Sequence, residues 1–125
     1  MRYDRILFGL AGLFNLAGAA MLIINPDSQL ARLNVSDPAA RWLARMLASS
    51  AATWGIAYLL IAYDAQRFRD LIWLGGFSKT LFAVISIGGY LAGAFSLPGL
   101  LPGLADLVLG LLFFAYLWGT QKSGI

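Results

Sequence analysis

Four long apolar segments constrain the fold of this chain more than any other feature. They cover about residues 6–24, 43–63, 71–95 and 102–118 of the 125-residue sequence. An α-helix needs about 20 apolar residues to cross the hydrocarbon core of a bilayer. Only 12% of the residues are charged, whereas about a quarter are in an ordinary soluble domain. We therefore predict an all-α fold, a transmembrane four-helix bundle in which residues 1–125 form a single domain.

Turn signals separate the apolar segments. Asn25-Pro26-Asp27 ends the first segment, because proline removes a backbone donor from a helix. Asp37 and Pro38 precede the second segment, where an aspartate can cap a helix and a proline suits its first position. The link from Ser96 to Pro102 contains no charge. We predict that it forms a tight turn between the third and fourth spans.

The distribution of lysine and arginine predicts the orientation. With four spans, both termini and the second loop share one side of the membrane. Five basic residues belong to that side, which we expect to face the cytoplasm because positive charge favours it: Arg2, Arg5, Arg67, Arg69 and Lys122. Three belong to the other side: Arg32, Arg41 and Arg45. We expect the inner membrane of a bacterium as the location.

A cleaved signal peptide is the competing interpretation of the first segment. Arg2 and Arg5 precede an apolar stretch that contains Ala17-Gly18-Ala19, a sequence that resembles a cleavage site. The apolar run continues beyond that site to Ile24, which favours a retained span. The net charge of +3 fits anionic lipid head groups, so we expect membrane lipids and no nucleic acid as partners.

The absence of two residue types excludes several kinds of catalytic and metal-binding site. The chain has no cysteine and no histidine. Thiol–disulfide exchange, thiolate metal sites and bis-histidine haem need those side chains. No glycine-rich loop stands between a strand and a helix, so nucleotide binding has no support. We predict no metal site and no cofactor.

Lys79 is the most informative polar residue. It lies roughly 12 Å into the third segment, because an α-helix rises about 1.5 Å per residue. A charged side chain at that depth normally faces protein or water. Helical spacing gives it small neighbours, Gly75, Gly76 and Ala83, so we predict that this face points into the bundle.

Two other spans offer partners for Lys79. Asn15 lies midway along the first segment, and Thr53 lies on the second beside two serines. Their oxygens can accept hydrogen bonds from the ammonium group. We predict a polar, ligand-binding pocket formed by Asn15, Thr53 and Lys79. The alternative is a structural lysine bound to backbone carbonyls or placed at the interface of a tilted helix.

Two structural roles would each account for a carboxylate at Asp106. If the fourth helix begins at Pro102, Asp106 lies in its first turn, where the exposed amides and the helix dipole favour a carboxylate. It could also form an ion pair with Arg45, which enters the second span from the same side. Either arrangement places Asp106 at the membrane edge.

Small residues predict where helices touch. Ala11, Asn15 and Ala19 recur every four residues in the first segment, and Ala44, Ala48 and Ala52 do so in the second, a spacing that allows backbones to approach. The third segment carries the run Gly89-Tyr90-Leu91-Ala92-Gly93. Gly110 marks a similar point in the fourth segment. The same residues would serve contacts within one bundle or between chains. The sequence thus leaves a homo-oligomer or a larger membrane complex open.

Scattered residues along the whole chain resemble the small four-span bacterial proteins grouped near the DoxX-like families. They are Pro26, Arg45, Gly55, Tyr58, Arg67, Arg69 and Lys79. The resemblance implies an inner-membrane location and no defined catalysis.

Two functional hypotheses follow. The first is a membrane component without a catalytic site, either an accessory subunit of a larger complex or a bundle that holds a lipophilic ligand. The alternative is a transporter of a small solute or ion, in which Lys79 binds the anion or titrates and Asp106 with Arg45 forms an outer gate. An enzyme is the least favoured class, because no general base accompanies the lysine.

Overall fold

The structure, a computed structural model, describes residues 3–120 and shows five helices there. They are α1 (Tyr3–Ile24), α2 (Pro26–Ala31), α3 (Pro38–Tyr63), α4 (Arg69–Leu91) and α5 (Leu97–Thr120). The four long helices have the length and composition of membrane spans. This confirms the predicted all-α four-helix bundle and makes the chain a small integral membrane protein.

The short helix α2 was not predicted. The sequence Asn25-Pro26-Asp27 does end α1, but it also begins a new helix. The Asn25 side chain accepts a hydrogen bond from the Ser28 backbone N–H at 3.3 Å, and Pro26 occupies the first helical position. Asp37 caps α3 in the same manner by accepting from the Ala39 N–H at 2.9 Å. The prediction of that cap is confirmed.

The predicted turn between the third and fourth spans is wrong in its position. The segment before Pro102 is helical, because α5 begins at Leu97, so Pro98 lies in the first turn, where its missing N–H costs nothing. The preceding helix also ends early, at Leu91 rather than Phe95. Gly93 stops it with a φ of +80°, a backbone conformation that glycine adopts without strain.

The long helices associate as two pairs. Helix α1 packs along α3, and α4 packs along α5. The pairs meet through α3 with α4 and through α1 with α5, and within residues 3–120 the diagonal helices α1 and α4 have no Cα atoms within 8 Å. We call the end of the bundle where α1 begins and α5 ends the termini end, and the opposite end the α2 end.

The largest fully buried side chains lie in the half of the bundle near the termini end, which we call the termini half. The five largest fully buried side chains of residues 3–120 all lie there: Phe8, Tyr58, Ile61, Ile72 and Phe113. Phe113 of α5 contacts the rings of Phe8 and Tyr58, with centroids 4.8 and 5.2 Å apart. These contacts join three helices from both pairs into one core.

The other half, the α2 half, is packed mostly with alanine. Its buried hydrophobic residues are Ala19, Ala44, Ala48 and Ala83, with Leu30 and Leu100 near the end. Short side chains let the two helices of a pair approach closely. Of the residues predicted to mark helix contacts, Ala11, Ala19, Ala44, Ala48 and Gly110 are buried, which confirms those positions. Asn15 and Ala52 are half-buried. Ala92 and Gly93 are exposed because they follow the end of α4, so the prediction is wrong there.

Basic residues lie at both ends of the bundle. At the termini end, Arg69 donates hydrogen bonds to the Thr120 hydroxyl at 2.7 Å and to the Leu117 carbonyl at 2.9 Å, and so ties the start of α4 to the end of α5. Two residues used for the predicted orientation, Arg2 and Lys122, lie outside the described residues. The orientation stays a prediction.

Candidate functional site

A buried ion pair lies near the middle of the bundle. The ammonium nitrogen of Lys79 on α4 is 2.8 Å from the Oδ1 atom of Asp106 on α5. The Lys79 side chain is 3% exposed, and the Asp106 side chain is 16% exposed. Removing two charges from water costs several kcal/mol each, and their attraction offsets this cost only with good geometry. The short contact therefore allows both charges to lie within the apolar segments.

A chain of hydrogen bonds extends the pair to all four long helices. Lys79 Nζ also donates to the Oδ1 atom of Asn15 on α1 at 3.0 Å. Asn15 in turn donates from Nδ2 to the backbone carbonyl of Ala51 on α3 at 3.1 Å. The Lys79 side chain thus reaches across the diagonal of the bundle. It connects the α4/α5 pair to the α1/α3 pair.

Two aromatic rings flank the ammonium group. The ring centroid of Tyr58 lies 5.0 Å from Lys79 Nζ, and that of Phe14 lies 5.5 Å away. Both distances are within the range of a cation–π contact. Tyr58 is fully buried, but Phe14 is 45% exposed on the outside of the bundle. One wall of the lysine site is therefore a side chain that faces lipid.

Small residues on α4 and α5 create the space for this site. Gly75 and Gly76 are buried on the same face as Lys79, which confirms that this face points inward. A Cβ atom at Gly110 would lie 3.4 Å from Lys79 Cβ and 2.8 Å from the Thr80 hydroxyl. Glycine at 110 therefore lets α5 approach α4 closely beside the lysine.

The structure does not place Thr53 in the site. Its side chain is exposed and donates a hydrogen bond to the Ser49 carbonyl of its own helix at 2.9 Å. Helical periodicity explains the error. The inward face of α3 carries Ala48, Gly55 and Tyr58, whereas Thr53 lies on another face. Of the three predicted pocket residues, the structure brings together Asn15 and Lys79.

The predicted pair of Arg45 and Asp106 is also wrong. Arg45 Nε donates to the Ile23 carbonyl at 3.2 Å, and its guanidinium lies 4.8 Å from the Trp42 ring centroid. Asp106 is not in a first turn either. Because α5 begins at Leu97, Asp106 lies about two and a half turns inside the helix. It is thus too deep to meet a residue at the membrane edge and pairs with Lys79 instead.

Sequence reasoning missed the Lys79–Asp106 pair although a signal was present. Each residue is the single charge inside its apolar segment, and the two segments are consecutive. Consecutive spans commonly lie side by side. Opposite charges within neighbouring spans are expected to meet, because an unpaired charge in the membrane is costly.

The rest of the described structure contains fewer candidate binding sites. Within residues 3–120, no three histidine, cysteine, aspartate or glutamate side chains lie close enough together to hold a metal ion. Two shallow surface pockets flank α2, one beside Asn25 and Gln29 and one beside Asn34 and Arg41. Neither includes a residue of the ion pair. The chain matches no protein-family model, no curated protein and no solved structure.

Proposed function

We propose that this protein is a membrane-embedded bundle that holds a lipophilic ligand against the Lys79–Asp106 pair. The observation that carries the proposal is the difference between the halves of the bundle. The largest fully buried side chains, three of them aromatic, lie in the termini half, while four alanines and two leucines make up the buried hydrophobic residues of the α2 half. The ion pair lies where these two kinds of packing meet.

The location of the pair supports a binding role. A buried ion pair is weak support for stability, since an apolar pair of similar volume often serves as well. Ionisable residues inside membrane spans commonly mark sites for substrates or ions. Lys79 and Asp106 are also linked by Asn15 to the opposite helix pair. A ligand that displaces one of these bonds would change how the two pairs are held together.

Native mass spectrometry tests this function. The tagged protein is extracted gently from its own membrane, and the retained small molecules are measured beside those of the double variant Lys79→Met/Asp106→Leu. We expect the wild-type protein to retain an amphiphile that the double variant lacks. The variant Ser50→Ala, changed on the exposed side of α3, is the matched control and should retain the ligand. An amphiphile bound equally by all three proteins would refute the proposal.

An accessory subunit is the second candidate, and the outer face of α3 favours it. Ser49, Ser50 and Thr53 are exposed along the middle of that helix. Hydroxyl groups on a membrane helix often bind a neighbouring helix. The same extraction distinguishes the two candidates. A second protein recovered in fixed stoichiometry, and lost on changing Ser49, Ser50 and Thr53 to alanine or valine, would make the chain a subunit.

Transport of an ion or small solute is the alternative, in which the Lys79–Asp106 ion pair breaks during the transport cycle. The partial exposure of the Asp106 side chain, 16%, is the observation that favours it. Liposomes that contain the protein and a pH-sensitive dye would report proton movement after a pH jump. A flux that disappears in Asp106→Asn would favour transport over ligand binding.

We propose a bacterial inner-membrane location with both termini in the cytoplasm. The resemblance to the DoxX-like proteins stays a prediction. The absence of cysteine makes the topology directly testable, because one introduced cysteine gives one labelling site. In intact cells we expect Ser36→Cys to react with a membrane-impermeant maleimide and Gln66→Cys to be protected. The reverse pattern would invert the orientation.

A further inference from the structure

We propose that the ligand's head group is neutral and carries a hydroxyl, and that it reaches the Lys79–Asp106 pair laterally, from the lipid between α1 and α5. This inference rests on the proposed ligand-binding function and specifies the chemistry of the same site. Its class is that of neutral membrane lipids with a free hydroxyl, such as diacylglycerols and long-chain alcohols.

The seam between α1 and α5 gives the route. In the termini half, Phe8 of α1 closes this seam against Phe113 and Tyr116 of α5, with ring centroids 4.8 and 5.3 Å apart. Farther along, Phe14 of α1 and Asp106 of α5 both approach the Lys79 ammonium. A half-exposed phenylalanine is thus the α1 side chain between lipid and the charged site. Rotation of its ring would open the seam without a movement of the helices.

The charge of the site selects a neutral head group. The formal charges of Lys79 and Asp106 cancel. An anionic or cationic head group would leave one uncompensated charge at the centre of the membrane, where charges are costly. A neutral head group leaves the balance unchanged. A fatty acid or an alkylamine should therefore bind less well than an alcohol of the same length.

The unused hydrogen-bonding capacity selects a hydroxyl. The described bonds use two of the three N–H groups of Lys79, to Asn15 and Asp106, and one of the two carboxylate oxygens of Asp106. A hydroxyl group can donate one hydrogen bond and accept another. It can accept from the remaining ammonium N–H while it donates to the remaining carboxylate oxygen. A hydrocarbon end satisfies neither atom.

The α2 half can accommodate the apolar tail. Beyond Asn15 along α1, a Cβ atom added at Gly18 would meet no atom within 4 Å. The buried side chains at this level are short, among them Ala19 and Ala83. A tail that follows α1 from Phe14 toward the α2 end would therefore cover surface that large side chains leave free.

A competition between three matched probes tests the inference. The full chain is placed in phosphatidylcholine nanodiscs with equal amounts of hexadecanol, hexadecanoate and hexadecylamine, and the bound probe is measured by native mass spectrometry. We expect hexadecanol to exceed each charged probe by about tenfold. The double variant Lys79→Met/Asp106→Leu removes both charges together and should bind all three probes weakly and without preference. Ser50→Ala should keep the preference, and the helical circular dichroism of each variant reports its folding.

A preference for hexadecanoate or hexadecylamine would overturn the neutral head group while it leaves the ligand-binding function intact. Retention of none of the three probes by the wild-type protein, together with no amphiphile from the native membrane, would overturn the function as well. For the route, Phe14→Ala should speed hexadecanol release by about tenfold relative to Leu13→Ala, an exposed neighbour. Equal release rates would refute lateral entry beside Phe14.

Discussion

The termini half and the α2 half of this bundle are held together differently. In the termini half, Phe113 of α5 contacts both Phe8 of α1 and Tyr58 of α3. In the α2 half, Ala48 and Ala83 are buried on separate helix pairs. Membrane helices associate through close packing and polar contacts, because lipid is as apolar as leucine. Large side chains join the pairs at one end, and small residues pack each pair at the other.

The difference in packing between the halves explains where a charged site can lie. A fully packed aromatic core leaves no room for a lysine, and a lipid-facing position offers no partner. Lys79 lies between these environments, with Tyr58 on one side and the exposed Phe14 on another. Its bond to Asn15 crosses between the helix pairs at the level where the aromatic contacts end.

A cavity in the aromatic core should destabilise the protein more than any other change considered. Phe113→Ala should lower the free energy of unfolding by about 3–5 kcal/mol, because it leaves a cavity among Phe8, Tyr58 and the glycine at position 75. Leu100→Ala, at the α2 end, should cost about 2 kcal/mol. Unfolding in mixed micelles of rising dodecyl sulfate content, followed by circular dichroism, measures both. Equal losses would show that the buried side chains of the two halves contribute equally to stability.

The second-largest loss of stability should come from removing one charge of the ion pair and leaving the other. Lys79→Met should lower the free energy of unfolding by about 3 kcal/mol, because it leaves Asp106 in the membrane without its cation. Adding Asp106→Leu should restore most of the loss. The same micelle titration gives the three values, with Arg67→Gln as a control at an exposed basic residue. A double variant no more stable than Lys79→Met would show that the loss does not arise from the unpaired carboxylate.

A third, smaller effect probes the close packing of the α2 half. A Cβ atom at Gly103 would lie 2.5 Å from Ser86 Cβ, so Gly103→Ala should push α5 away from α4 and cost about 1–3 kcal/mol. Gly18→Ala in the same half is the control, because its Cβ would meet no atom within 4 Å. We expect Gly18→Ala to be neutral. Similar stabilities for the two variants would argue against tight packing between α4 and α5.

The smallest loss of stability should be confined to the last turn of α5. Arg69→Gln removes the charged donor of two hydrogen bonds to the last turn of α5, at Thr120 and Leu117. We expect about 1–2 kcal/mol less protection of the amides in that turn, measured by hydrogen exchange. The amides of α2, at the opposite end, should exchange as before. A change at both ends would show that the two halves are coupled more strongly than their packing indicates.

The sequence predicted the four spans because length and apolar character alone decide them in a membrane. It also predicted the inward face of Lys79, since the small residues Gly75 and Gly76 recur at helical spacing around it. Helix starts were harder to predict. Pro98 and Pro102 are compatible with a turn before the helix or with the first turns of the helix itself. A helix that begins at Pro102 would place Asp106 at the membrane edge, whereas α5 begins at Leu97 and places it near the middle.

The partners of each polar residue could not be predicted from spacing within one helix. Thr53 and Asn15 lie at comparable depths in the membrane. The rotation of α3 and α1 about their axes determines that Asn15, and not Thr53, faces Lys79. That rotation depends on packing among all four helices. The contacts of Phe113 with Phe8 and with Tyr58 help to set this rotation, and they join residues far apart in the sequence.

The contact between Lys79 and Asp106 also has a consequence for biosynthesis. The ribosome releases α4 before α5, so a lysine would enter the bilayer ahead of its counter-ion if the helices left the translocon singly. Each charge alone carries an insertion penalty of about 2.5–3.5 kcal/mol near the centre of a helix. Only the short segment 92–96 separates these helices. We expect the two to partition into lipid together, as one hairpin with no net intramembrane charge.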